Sequence, residues 1–274
     1  MTGTFYICAT PIGNMGDISL RAIEILKNVD FIACEDTRVT MKLAEKYEIT
    51  AHLLDCHKFN EKERSIKIIS LLNEGYNIAL VSDAGTPLIS DPGSFLIEEL
   101  LKNNIKITSI PGACAVTTFL SMLPRYTEEY VFIGFIPRTK KQQTDILNKY
   151  INTNCVFFES PQRLLKTLEN IKETYGAEIK MSVGRELTKI FEEIITDKVS
   201  NIIDYYKKNI LKGEIVAMIY AHSPFNDNNY EIIQKISILK SEGYSTKDIS
   251  KIISLLFNVN KNDIYKLAEC SQNN

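Results

Sequence analysis

The sequence predicts an α/β protein of two lobes with a small helical appendage at its C-terminal end. Three observations lead there. Apolar strand-like runs alternate with amphipathic helical stretches up to about residue 123, the alternation resumes after a short linker, and beyond Ser223-Pro224 the pattern becomes wholly helical. Regular alternation of this kind argues a parallel sheet covered on both faces. In the second lobe three strand-like runs crowd toward its end, so its sheet is expected to be mixed. The expected divisions are 1–123, 124–223 and 224–274.

In the first lobe, Thr4-Phe5-Tyr6-Ile7-Cys8-Ala9 reads as a strand apolar on both faces, and Ser19 is a plausible N-cap for a helix from Leu20 to Asn28. Strands at 30–34, 52–55, 78–82 and 105–110 and helices at 38–47, 61–74, 93–103 and 114–123 follow by the same alternation. Leu123 to Glu128 reads as a linker. The second lobe opens with strand 130–136, helix 138–150, strand 154–158 and helix 161–175, where Ser160 suits the N-cap and Pro161 the first helical position. Strands 179–184, 190–196 and 214–221 complete the sheet, with a helix from Asp197 to Asn209 between the last two. After a polar break at Phe225 to Asn229, helices are expected near 230–242, 246–256 and 261–269. Gly243 ends the first of these, Ser245 or Thr246 caps the second and Asn260 the third.

Three loops stand out. Ser82 to Gly93 packs two glycines, two prolines and two aspartates behind an apolar strand. Glycine permits positive φ and close ligand approach, proline stiffens the loop, and aspartate offers acceptors. The carboxyl end of a strand is where open α/β sheets bind small ligands. Thr10 to Asp17 forms a similar turn after the first strand, and Pro111-Gly112-Ala113-Cys114-Ala115 another after 105–110. Neither G-x-G-x-x-G nor G-x-x-x-x-G-K-[ST] is present, which removes sequence support for dinucleotide and P-loop readings.

These loops resemble the tetrapyrrole methylase superfamily of S-adenosylmethionine-dependent methyltransferases, through Thr-Pro-Ile-Gly-Asn at 10–14, Ser-Asp-Ala-Gly-Thr-Pro with Ile-Ser-Asp-Pro-Gly behind it, and Pro-Gly at 111–112. More narrowly the chain is similar to the branch that methylates the ribose 2′-oxygen of a cytidine in 16S ribosomal RNA. That likeness rests on Glu35-Asp36-Thr37-Arg38, His57-x-x-Asn60-Glu61, Glu159-Ser160-Pro161-x-Arg163-Leu164, Arg185-Glu186-Leu187-Thr188-Lys189 and Lys212-Gly213-Glu214, in family order from about residue 3 to 220.

The resemblance implies a cofactor, S-adenosylmethionine, in the cleft between the lobes, with Gly85, Asp91, Pro92, Cys114, Ala115, Phe158 and Leu187 at it and Pro11 beside it. Cys114 departs from the Ser or Thr common there, and Phe158 also suits a strand core. Glu35, Arg38, His57, Asn60, Glu61 and Arg185 are expected to line the substrate pocket, with Asp36 first and Glu186 second as proton acceptor. Bland roles stand beside these: Asp36 or Glu35 holding Arg38, His57 and Asn60 capping the helix at Glu61, and Arg185 pairing with Glu186. Arg138, Lys140 and Lys141 equally suit an RNA contact and a solvated helix start.

Net charge is −2, weak for a binder of bare RNA and better matched to a structured particle. The 226–274 stretch holds six Lys and six acidic residues, which argues against an independent DNA-reading tail. Six scattered cysteines without C-x-x-C and three histidines, at 52, 57 and 222, give no zinc pattern, so no metal is expected. Cys8, Cys34 and Cys155 read as small core hydrophobes. No apolar run reaches the ~18 residues of a membrane span, and no leader pattern opens the sequence, so the expectation is a cytoplasmic enzyme, homodimeric by resemblance, acting on 16S ribosomal RNA in the small subunit. Methylation of a tetrapyrrole and a non-catalytic nucleic-acid-binding role are the alternatives.

Overall fold

The computed structural model describes residues 2–124, 129–209, 211–221, 229–257 and 259–270. Part of the expected linker at 123–128, His222, and most of the expected polar break at 225–229 lie outside the described residues. The first compact unit holds two five-stranded sheets, and the second holds the C-terminal helices.

The first sheet comprises β1 (Thr4–Cys8), β2 (Phe31–Cys34), β3 (His52–Asp55), β4 (Ile78–Val81) and β5 (Lys106–Ile110). All are parallel, in the order β3-β2-β4-β1-β5. Side-chain alternation assigns the two faces. Cys8, Ile32, Cys34, Ala79 and Val81 pack with α1 (Leu20–Asn28) and α2 (Thr37–Tyr47) through Ala22, Leu26 and Leu43. Phe5, Ala33, Ile78 and Leu80 pack with α3 (Glu61–Asn73) and α4 (Ser94–Lys102) through Ile68, Leu72, Leu96 and Leu100. Each Val, Leu, Ile or Phe side chain among them contributes roughly 1.5–3 kcal/mol by leaving water. Burial also pushes the Cys8 thiol up to about 12, so it packs as an apolar group. Ser19 caps α1 as expected, its Oγ accepting from the Ala22 N–H at 3.1 Å.

The order creates a switch point. From β1 the chain crosses toward β2 and β3, whereas from β4 it crosses to β5, and β1 and β4 are neighbours. Their outgoing loops therefore part in opposite directions and leave a crevice at the strands' carboxyl ends.

The second sheet is mixed, as expected, in the order β6-β7-β10-β8-β9, formed by β6 (Tyr130–Phe135), β7 (Asn154–Glu159), β8 (Lys180–Arg185), β9 (Glu193–Lys198) and β10 (Ile215–Ile219). Only β6 and β7 run parallel; β10, last in sequence, pairs antiparallel with both β7 and β8. The expected strand over 190–196 starts instead at Glu193, because the turn before it is longer, with Glu186 at φ 52° and Thr188 at φ 64°. On one face α5 (Ala115–Ser121) packs Val116, Phe119 and Leu120 against Val156, Val216 and Met218. Cys155 and Phe157 alternate to the other face and are fully buried. The remaining helices are α6 (Lys140–Lys149), α7 (Pro161–Tyr175) and α8 (Val199–Lys208), with Leu164, Leu168 and Ile171 of α7 buried. Pro161 sits in the first turn of α7 as expected, but Ser160 makes no side-chain cap; its N–H donates to Glu159 at 2.7 Å.

In the second unit, α9 (Asn229–Ser241), α10 (Thr246–Phe257) and α11 (Lys261–Cys270) share a core of Ile232, Ile236, Ile249, Ile253, Ile264 and Ala268. Gly243 turns the chain after α9 at φ 85°, Ser245 accepts from the Asp248 N–H, and Asn260 from the Asn262 N–H. Among the described residues, no helix is long and apolar enough to cross a membrane.

Phe119 is fully buried, with its ring so close to Gly184 that a Cβ there would stand 2.7 Å away. Phe119→Ala is expected to lower the unfolding free energy by about 3–5 kcal/mol in urea denaturation.

Candidate active site

The crevice is built by three loops joined through their backbones. Thr10 and Gly85 exchange two hydrogen bonds, N–H to carbonyl at 2.9 and 3.0 Å, tying the loop after β1 to the loop after β4. The buried Thr10 hydroxyl donates to the Ser82 carbonyl at 2.9 Å, and the Thr86 hydroxyl to the Ala113 carbonyl at 3.0 Å, which brings in the loop after β5. Gly85 has φ 85°, and a Cβ on it would stand 3.3 Å from Ile12. Leu88 and Ser90 hold φ of 74° and 73°. A left-handed leucine is costly and persists only where its surroundings over-determine it, a condition that clusters at functional sites.

Between this crevice and the second sheet lies a cleft of about 380 Å³, within the usual range for small-molecule sites. Gly85, Asp91, Cys114, Ala115, Phe158 and Leu187, which the resemblance assigned to the cofactor, line it. Pro11 instead lines a second, adjoining cleft of about 240 Å³ with Met15, Val39, Thr40 and Lys189. Pro92 lines neither. Phe158 is half-buried and edges both Phe132 and Phe135, at 5.0 and 5.5 Å between ring centres. It therefore serves as cleft wall and as core packing together.

The substrate-side residues fall into two groups that the structure does not bring together in the cleft. Asp36 caps α2, accepting from the Arg38 N–H at 2.9 Å, and grips the Arg38 guanidinium at 2.6 Å. Those bonds hold its carboxyl down at about 2 and commit it to Arg38. Glu35 is raised by burial, then by Asp83 and Asp36, with His57 opposing them. Asn60 stands at the N-cap of α3 without capping it, because its side chain accepts from the His57 N–H at 2.8 Å and donates to Asp55 at 2.7 Å. Glu61 accepts from the Leu96 N–H at 3.0 Å, fastening α3 to α4.

Arg185 does not pair with Glu186 by a hydrogen bond but with Glu193, at 3.4 Å. Glu186 instead accepts from Lys189 at 2.8 Å and from the Glu214 N–H at 2.9 Å. Burial raises its carboxyl, yet those two donors outweigh it and the net shift is downward. Gly213 is required beneath it: φ is 93°, and a Cβ would collide with the Glu186 carboxyl at 2.3 Å. Glu186, the second expected proton acceptor, thus pins the 213–214 loop against the cleft. Asn14 N–H donating to Thr188 at 3.1 Å ties the same turn to the first loop. Arg138, Lys140 and Lys141 are exposed at the start of α6, beyond Phe135 of the cleft wall, and Lys140 is paired with Glu173.

The cleft's carboxylates are held partly out of water. Asp91 is pushed up to about 6, first by burial and then by Glu35, against a hydrogen bond from Ser82. Asp83 is also raised, chiefly by burial; the hydrogen bond from the Asp36 N–H and the Arg38 charge lower it, while the Asp36 charge raises it. Among the described residues no group of three or more His, Cys, Asp or Glu is placed to hold a metal ion.

The cleft also uses residues not singled out from the sequence: Ile12, Asp83, Thr86, Ser90, Phe135 and the strand Ile215-Val216. Most lie inside stretches whose composition was suggestive. Ile215 and Val216 carried no signal beyond following Lys212-Gly213-Glu214.

The sequence profile of the Tetrapyrrole (Corrin/Porphyrin) Methylases matches residues 4–203. The ribosomal RNA small subunit methyltransferase I of Rickettsia prowazekii is 39% identical over 96% of this chain and 93% of its own length. The protein of the same name from Thermotoga maritima is 41% identical over 79% of this chain and 98% of its own length. Among solved structures, a diphthine synthase shares the fold at a TM-score of 0.62 and 13% identity, covering 79% of this chain and 89% of that one. A Thermus thermophilus uroporphyrin-III C-methyl transferase complexed with S-adenyl homocysteine does so at 0.57 and 13%, covering 79% and 97%. With that match on a switch-point crevice of this build, the chain belongs to the Tetrapyrrole (Corrin/Porphyrin) Methylases and, within them, to the family of the ribosomal RNA small subunit methyltransferase I proteins.

Proposed function

We propose that this protein transfers a methyl group from S-adenosylmethionine to the 2′-oxygen of a cytidine ribose in 16S ribosomal RNA of the small subunit. The observation that carries the reading is the cleft itself: strained, glycine-lined and bordered by carboxylates, in a chain with relatives named for small-subunit ribosomal RNA methylation.

The lining fits the cofactor. S-adenosylmethionine supplies a methyl group activated on a sulfonium cation. Gly85 leaves room for close approach, Ala115, Leu187 and Phe158 offer apolar surface for a flat ring, and Asp91 offers an acceptor to its hydroxyl or ammonium groups. Cys114 contributes contact without a strong hydroxyl donor. Pro11 shapes the first loop, and Pro92 stiffens the second from outside the cleft. The protein's task is then to align donor and acceptor and to exclude water. Glu186 serves that task by fixing the 213–214 loop.

On the RNA side, Arg138 and Lys141, with Lys140, extend positive charge from the rim of the cleft, and Glu35, Arg38, His57, Asn60, Glu61 and Arg185 build the surrounding frame. The division into lobes at 1–123 and 124–223 with a tail from 224, the cytoplasmic setting and the homodimer belong to the same reading. A solution mass near twice the chain's 31.2 kDa is the outcome the homodimer requires.

Methyl transfer from labelled S-adenosylmethionine to unmodified small ribosomal subunits, with mapping of the modified sugar, is expected to place label on one cytidine 2′-oxygen. Label on a base, or none, would remove the substrate assignment. Cofactor affinity is expected to weaken ~tenfold per pH unit below about 6, because protonation of Asp91 removes its acceptor charge. In calorimetry Asp91→Asn should flatten that dependence and weaken binding at neutral pH. Glu186→Ala is expected to weaken cofactor binding by about tenfold through release of the 213–214 loop, with no loss of the acidic limb.

A further inference from the structure

The two expected proton acceptors are both committed elsewhere, Asp36 to Arg38 and Glu186 to Lys189 and the 214 N–H. The large cleft and the smaller one beside it share four lining residues, Ile12, Asp83, Ala84 and Glu214. Two of these carry carboxylates. Glu214 is bound to Lys189 at 2.9 Å. Asp83 accepts one backbone hydrogen bond, from the Asp36 N–H to Oδ1 at 3.1 Å, and among the described residues no ion pair to it is formed. That single bond fixes the carboxyl's direction at the boundary between the clefts. The backbone beneath it is equally held, because Ser82 and Gly85 on either side are tied to Thr10.

We propose that the smaller cleft admits the acceptor ribose and that Asp83 is the catalytic residue that takes the proton from its hydroxyl. This inference rests on the reading of the larger cleft as the cofactor site. In the transfer, an oxygen lone pair forms the bond to the methyl carbon, the carbon–sulfur bond breaks with its electron pair remaining on sulfur, and the hydroxyl proton passes to Asp83. One positive and one negative charge are thereby lost together, leaving a neutral thioether, a neutral carboxyl and the methylated ribose. A low-dielectric crevice favours a step that annihilates charge. The groups bearing on Asp83 are Asp36 and Arg38 from α2 and its cap, Cys34 and Glu35 at the end of β2, and Asp91 farther along its own loop. Lys189 and Glu214 line the same smaller cleft.

The test compares wild type, Asp83→Asn and Asp83→Glu with unmodified small subunits as acceptor, alongside calorimetry with S-adenosylhomocysteine. Asp83→Asn is expected to lower kcat by about 100-fold or more, to abolish its acidic limb, and to leave S-adenosylhomocysteine affinity within about threefold, since the carboxylate and the amide occupy the same volume. Asp83→Glu should recover part of the rate. An Asp83→Asn enzyme with wild-type kcat overturns the assignment, and so does one that loses S-adenosylhomocysteine binding, which would make Asp83 a cofactor ligand. A wild type that binds S-adenosylhomocysteine but methylates no small-subunit RNA overturns the parent reading and this inference with it. That result is distinct from the other two because it appears before any substitution is made.

Discussion

The paired backbone bonds between Thr10 and Gly85 are the constraint from which the rest of the site follows. They join the two loops that the sheet order sends in opposite directions, and they do so without side chains at Gly85. Because both partners are backbone groups on the ends of buried strands, the bridge inherits the rigidity of the sheet. The Thr10 hydroxyl closes the same junction onto Ser82. Ile12, Asp83 and Ala84 are therefore held at fixed positions, and the positive-φ residues at 88 and 90 are carried by a loop anchored at its start. Strain in such a loop is affordable only against a stiff support.

A second level of fixation comes from the far side of the cleft. Glu186 reads at first as a reactive carboxylate, yet it lies over a glycine with no room for a methyl group and is shared between an ammonium and a backbone N–H. Its downward shift is the signature of a group that stays charged to hold things in place. Asp91 and Asp83 carry the opposite signature, raised by burial near like charges. Groups of these two kinds divide the labour between frame and chemistry.

Much of the architecture was legible because it is written in short apolar runs and amphipathic helical stretches that survive folding unchanged. The β1 run with Cys8 and the β4 run of Ile78 to Val81 read as buried strands and are buried strands. Ser19 capped where expected because an N-cap is a local device. Ser160 stands at the N-cap position of α7 without a side-chain cap bond, while its own N–H donates to Glu159. Site residues within the dense loops were legible for the same local reason. The bonds Asp36 makes to Arg38, and Glu186 to Lys189 and the Glu214 N–H, depend on geometry that spacing alone leaves undetermined. Ile215 and Val216 reach the cleft only because β10 inserts between β7 and β8.

That insertion has a consequence for how the chain comes together. The first sheet uses strands that are complete by residue 110, so it can assemble while later residues are still being made. The second sheet has no such liberty: β7 and β8 are separated by the space that β10 fills, and β10 spans Ile215–Ile219. Until it arrives, β7 and β8 each present an open edge of unpaired N–H and carbonyl groups, the kind of surface that recruits wrong partners. Closure of the cleft wall thus waits on Ile215–Ile219, the last-made strand of its sheet, and on pairings distant in sequence.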